Sequence, residues 1–124
     1  DLGIQVLTVF GFSTENWGRS QQEIDTILNL LQTYLIDNCQ KMINEGVRFN
    51  IIGDLTPFSQ SLKDTIHHTI DATRLGNKMD LVVALNYGGR DEIKRVIQSI
   101  VHDIIEKKIA QDAISETMIA QYLD

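Results

Sequence analysis

The stretch Phe12 to Ser20 (FSTENWGRS) gathers most of the chemistry this chain can offer. Two hydroxyls (Ser13, Thr14), a carboxylate (Glu15), a carboxamide (Asn16), an indole (Trp17) and a guanidinium (Arg19) follow one another closely. Each has a task if the ligand is a phosphorylated apolar molecule. The hydroxyls can donate to phosphate oxygens, and Arg19 can grip a diphosphate through its planar fork, which a lysine does less specifically. Asn16 can accept or donate near a reacting carbon, and Phe12 and Trp17 can wall an apolar tail. The plainer alternative is that the hydroxyls cap a helix, Glu15 is solvated and the single Trp17 is core. At this level both readings stay open.

The flanking elements place the stretch. Ile4 to Phe10 (IQVLTVF) is a near-continuous apolar, β-branched run, the pattern of a strand buried on both faces. Ser20 and Glu23 form an S-x-x-E capping box that starts a helix near Gln21. The stretch is therefore a crossover at the carboxyl end of a parallel strand, where open α/β sheets bind ligands. The helical stripe Ile24, Ile27, Leu28, Leu31, Leu35, Cys39, Met42 and Ile43 runs to about Asn44, and Gly46 suits a left-handed C-cap. Val47 to Gly53 reads as a second strand with Asp54 at its carboxyl end. Thr56-Pro57 reads as a helix start whose buried face is Phe58, Leu62, Ile66 and Ile70. His67 and His68 are adjacent on that helix and point about 100° apart, so they are a poor metal pair and read as partly exposed. Arg74 to Asp80 is a connection, and Leu81 to Leu85 a third strand. Asn86 to Arg90 crosses to a helix striped with Ile93, Val96, Ile97, Ile100, Val101, Ile104 and Ile105. Ser115 caps a last short helix with Met118, Ile119, Tyr122 and Leu123 facing inward. Such alternation predicts an α/β fold, a three-layer arrangement with a mainly parallel central sheet flanked by helices.

Length and composition exclude other classes. With 124 residues and 43% hydrophobic content, the chain can bury one modest core, so one domain is expected. No run approaches the roughly 18 to 20 apolar residues of a membrane span. A single cysteine cannot build a disulfide framework, which suits a reducing cytoplasm. A formal net charge of -6 argues against nucleic acid, whose binding needs clustered Lys and Arg.

FSTENWGR resembles the FSxENWxR signature of the cis-prenyltransferases, the undecaprenyl diphosphate synthase family. Val47 to Asp54 (VRFNIIGD) resembles that family's VRxxxIGD strand, and Leu81 to Glu92 (LVVALNYGGRDE) its LxxALNYGGRxE block. The resemblance implies an undecaprenyl diphosphate synthase-like fold and condensation of isopentenyl diphosphate onto a farnesyl-like allylic diphosphate primer. It implies Asn16 as the catalytic group nearest proton removal. Phe12, Ser13, Thr14, Glu15, Trp17 and Arg19 become substrate-binding residues, and Leu28, Leu31, Leu35 and Met79 lining for an isoprenoid tunnel. It also implies Mg²⁺, with ligands outside this segment, a homodimer, and a cytoplasmic place with a product that associates with membrane. The family's upstream DGNGRWA-like and downstream RxSGExRxSNFL-like blocks are not in these residues, and the chain opens without Met, so the expectation is an internal fragment. The alternative is a non-catalytic partner subunit of a heteromeric enzyme.

Overall fold

The computed structural model describes residues 2–124. The strands β1 (Val6–Ser13), β2 (Val47–Ile52) and β3 (Met79–Tyr87) form a parallel sheet in the order β1-β3-β2. Between them run α1 (Gln21–Glu45) and α2 (Gln60–Thr73), and after them come α3 (Gly89–Ile105) and α4 (Glu116–Tyr122). The order of elements is as expected, and so is the class, α/β with a parallel sheet flanked by helices. The chain divides into two compact units, one running through Tyr87 and the other Gly88–Asp124.

In the first unit local signals set the helix ends. The Ser20 hydroxyl accepts the Glu23 N–H at 3.3 Å, so α1 begins at Gln21. Gly46 ends it in the left-handed region at φ +73°, its N–H donating to the Ile43 carbonyl. The core is Phe12, Ile24, Leu35, Met42, Phe49, Phe58, Leu62, Ile66, Val83 and Leu85, with Ile27, Leu28, Leu31 and Ile51 partly buried against it. Buried Thr73 ties α2 to β2: its hydroxyl accepts the Phe49 N–H at 3.0 Å and donates to the Thr69 carbonyl at 2.8 Å. His67 and His68 are exposed, as their spacing suggested.

Three expectations are corrected. The apolar run of β1 is not covered on both faces: Val6 is 58% and Phe10 70% exposed, because β1 is the edge of the three-stranded sheet and pairs with β3 alone among the described residues. Thr56-Pro57 does not start α2. Asp54 takes both the Thr56 N–H (3.0 Å) and the Thr56 hydroxyl (2.6 Å), which holds that dipeptide in a turn. Ser59 instead caps the helix through the Leu62 N–H at 3.2 Å. In α4, Ser115 caps as expected, but Ile119 and Leu123 are exposed rather than inward.

In the second unit, α3 buries Val96 and Ile100 and leaves Ile93, Ile97, Val101 and Ile105 exposed. The Tyr122 hydroxyl donates to Asp103 at 2.5 Å, and that bond raises the Tyr122 pKa. Arg95 reaches both Asp91 (3.0 Å) and Asp124 (3.1 Å).

Candidate active site at the carboxyl ends of the strands

The stretch singled out by its residue types folds as the last two residues of β1 followed by a 3-10 turn, Thr14–Gly18. A reciprocal capping box holds it. The Ser13 hydroxyl accepts the Glu15 N–H at 3.3 Å, and the Ser13 N–H donates to Asn16 Oδ1 at 2.7 Å. The Arg19 N–H closes the turn on the Asn16 carbonyl at 3.0 Å. One chemical consequence follows for Asn16. The Asn16 carboxamide oxygen accepts the Ser13 N–H with one of its two lone pairs, and its amide NH₂ offers two further donors to a ligand. The bond to Ser13 fixes the carboxamide on the rim while leaving it able to donate.

Two irregularities in the β1–β3 ladder aim the side chains. Phe10 pairs with Ala84 and Phe12 with Leu85, so Gly11 is an extra residue on β1. A side chain there would meet Val83 Cγ1 at 2.9 Å. The bulge turns Phe12 into the core at 1% exposure, while Phe10, two residues earlier, stays out. Ser13 then pairs with Tyr87, which makes Asn86 the extra residue on β3. Asn86 is buried and lies in the left-handed region at φ +50°, a conformation asparagine tolerates better than most residues.

Buried Phe12 and Phe58 hold the Trp17 indole. Trp17 lies edge-on to Phe12 (centroids 5.0 Å apart) and stacks on Phe58 (5.7 Å, 26° between planes). Its Nε1–H donates to Asn86 Oδ1 at 2.7 Å, and Asn86 Nδ2–H donates in turn to the Asp54 carbonyl at 2.8 Å. The carboxyl ends of all three strands are thereby linked. Asp54, at the carboxyl end of β2, braces its own loop as the Thr56 partner described above.

The signature residues are thus brought together on one rim. Ser13, Thr14 and Asn16 are half-buried, and Glu15 and Arg19 are exposed. Arg19 lies 3.9 Å from Glu23 and borders a hollow of about 450 Å³ with Ser20, Gln22, Glu23, Thr26 and Ile27. So long and exposed an ion pair binds weakly and leaves the guanidinium free to turn to another anion. The proposed tunnel residues are more scattered. Leu28 shares a hollow of about 340 Å³ with Trp17 and Phe58, and Leu35 is fully buried beside a second hollow with Cys39 and His68. Met79 lies at the amino end of β3, bordering a third with Val6, Arg48 and Asp80. At that end Arg48 forks onto Asp80 at 2.6 and 2.9 Å, and the guanidinium hydrogen bond holds the Asp80 carboxyl below its usual range.

Asn86 and Phe58 enter the site without a strong signal of their own. The Asn86 contact to Trp17 lies 69 residues away along the chain and leaves no local trace. Among the described residues no group of three or more His, Cys, Asp or Glu is placed to hold a metal ion. These residues supply no donor set for Mg²⁺. No helix among them is long and apolar enough to cross a membrane.

Comparison with known proteins gives the arrangement a context. The family model described as "Putative undecaprenyl diphosphate synthase" matches residues 1–124. An isoprenyl transferase of Chlamydia pneumoniae is 40% identical over 124 residues, all of this chain and 50% of that protein. The isoprenyl transferase of Agrobacterium fabrum is 37% identical over the same length, again 50% of its own. Among solved structures, lavandulyl diphosphate synthase from Lavandula x intermedia, in complex with dimethylallyl diphosphate, superposes with a TM-score of 0.91 at 26% identity. That match covers 98% of this chain and 52% of that one. A Campylobacter jejuni protein described as a probable undecaprenyl diphosphate synthase gives 0.82 at 34% identity, covering 98% and 56%. The chain spans about half the length of the curated relatives it matches.

Proposed function

Because this chain belongs to the undecaprenyl diphosphate synthase family of prenyl transferases, we propose that it is the part of a cis-isoprenyl diphosphate synthase that binds and orients diphosphate substrates. The reaction is the condensation of isopentenyl diphosphate with an allylic diphosphate primer to a long-chain polyprenyl diphosphate. The observation that carries this reading is the reciprocal capping box. It fixes Ser13 and Asn16 through backbone N–H groups and keeps a hydroxyl hydrogen, an amide NH₂ and the Arg19 guanidinium as donors on one rim. A rim of donors suits an anion.

In this reading Ser13, Thr14 and Arg19 hold diphosphate oxygens, Glu15 orients the substrate, and Trp17 and Phe12 flank its apolar part. The allylic C–O bond breaks, diphosphate leaves with the electron pair, and the isopentenyl double bond forms the new C–C bond. Loss of a proton from the adjacent carbon then sets the cis alkene. Donors already aimed at the departing diphosphate lower the cost of that charge separation. Asn16 does not take the proton, since a neutral amide is a poor base; its NH₂ holds the isopentenyl diphosphate while phosphate or water accepts the proton.

We assign Leu28, Leu31, Leu35 and Met79 to the passage for the growing chain, Mg²⁺ to ligands outside this segment, and the working state to a cytoplasmic homodimer at the membrane periphery. The exposed row Ile93, Ile97, Val101 and Ile105 supports self-association. A non-catalytic partner subunit would have no use for the ordered donor rim. The test is incorporation of labelled isopentenyl diphosphate into a solvent-extractable product by the full-length protein, given an allylic diphosphate. Product is expected; its absence with every allylic primer would reject the reading.

A further inference from the structure

We propose that Asn86 is the positioning residue of the site, the side chain that sets the Trp17 indole and locks the signature turn to the β2 crossover. The inference rests on the function proposed above for its catalytic consequence, and on geometry alone for its structural one. Three observations converge on Asn86. It is the extra residue where β1 pairing steps from Leu85 to Tyr87, so its carboxamide is released from strand alternation. It is buried and holds φ at +50°, a backbone conformation that a β-branched or bulky residue would not adopt there without strain. Its two amide ends serve two different loops: Oδ1 accepts the Trp17 Nε1–H at 2.7 Å, and Nδ2–H donates to the Asp54 carbonyl at 2.8 Å.

The backbone repeats the link. The Asp54 N–H donates to the Asn86 carbonyl at 3.4 Å, and Gly53 passes so close to Leu85 that a Cβ would stand 2.0 Å from its carbonyl oxygen. Only an amide can serve both loops in this geometry. Aspartate would keep the acceptor for the indole and lose the donor to Asp54, and glycine would keep the backbone and lose both. Trp17 is bonded at its nitrogen and stacked on Phe58, so its ring has one orientation, and the capping box beside it inherits that orientation.

Trp17 is the only tryptophan in these 124 residues, and in a longer protein its indole signals are identified by their loss in Trp17→Phe. In ¹⁵N-labelled wild-type protein the Trp17 indole N–H resonance should lie downfield of free indole and exchange slowly with water. Asn86→Gly should shift Trp17 emission to the red and raise its acrylamide quenching severalfold while the far-ultraviolet circular dichroism is kept. Asn86→Asp should keep the emission near wild type. In the full-length enzyme Asn86→Gly should lower kcat at least tenfold with KM changed less than threefold, and Asn86→Asp should recover part of kcat. A wild-type indole resonance at the free position, or unchanged emission in folded Asn86→Gly, would overturn the positioning role. A wild-type enzyme without prenyl transfer would instead reject the proposed function and leave the spectroscopic result standing.

Discussion

Replacing Gly53 by alanine should be among the most damaging single-methyl changes the chain can suffer. Gly53 has φ +114°, a region occupied almost only by glycine, and forcing an L-residue there costs on the order of 1–3 kcal/mol. The new Cβ would stand 2.0 Å from the Leu85 carbonyl oxygen and 2.9 Å from its carbon, both backbone atoms that cannot rotate away. Relief requires β2 and β3 to part where Asn86 joins them, and overpacking of this kind adds roughly 1–3 kcal/mol. The sum is about 2–6 kcal/mol, a large share of the roughly 5–15 kcal/mol that holds a domain of this size. With an unfolding entropy near 2.1 cal/mol/K per residue, each kcal/mol lowers Tm by about 4 °C, so a fall of roughly 8–24 °C is expected. Urea and thermal unfolding followed by circular dichroism would measure it. A Tm within about 2 °C of wild type would refute the reasoning, because the close approach of the two crossovers would then not exist.

Other outcomes follow from the same contacts. Asn16→Ala, which leaves the Ser13 N–H without its partner, should cost about 1 kcal/mol of stability in chemical denaturation and lower kcat far more than primer affinity in the full-length enzyme. Asn16→Asp should keep the stability and not the turnover, since a carboxylate caps Ser13 and repels diphosphate. Arg19→Ala should chiefly raise KM for a diphosphate substrate and barely move Tm, its 3.9 Å contact with Glu23 being long and exposed; an unchanged KM would remove it from the site. Asp80, whose folded pKa is depressed by the Arg48 hydrogen bond, contributes stability above its unfolded pKa that is lost as pH falls through its lower folded value. Stability should therefore decline below about pH 4, and Asp80→Asn should flatten that part of the pH profile.

Much of this could be read from the chain directly, because the deciding contacts are local. Ser20 caps α1 by accepting an N–H three residues on, Gly46 ends it, Ser115 starts α4, and the apolar runs mark three strands. The signature stretch was recognisable by residue type, and its residues do share one rim. What escaped depends on partners distant in sequence. The bulges at Gly11 and Asn86 exist only relative to a neighbouring strand, and they decide why Phe12 is buried while Phe10 is exposed. Thr56-Pro57 has every local mark of a helix start, yet Asp54 outcompetes it by two hydrogen bonds and moves the cap to Ser59. The apolar character of β1 predicts a strand but not that, among the described residues, it pairs on one side only.

The proposed role of the turn from Ser13 to Arg19 is to hold a diphosphate substrate. The most direct measurement is the ¹H–¹⁵N spectrum of the full-length protein titrated with isopentenyl diphosphate. The largest shifts should fall on the Ser13 and Thr14 amides, the Asn16 side-chain NH₂ and the Trp17 indole. Saturating shifts confined to residues away from this turn would contradict it.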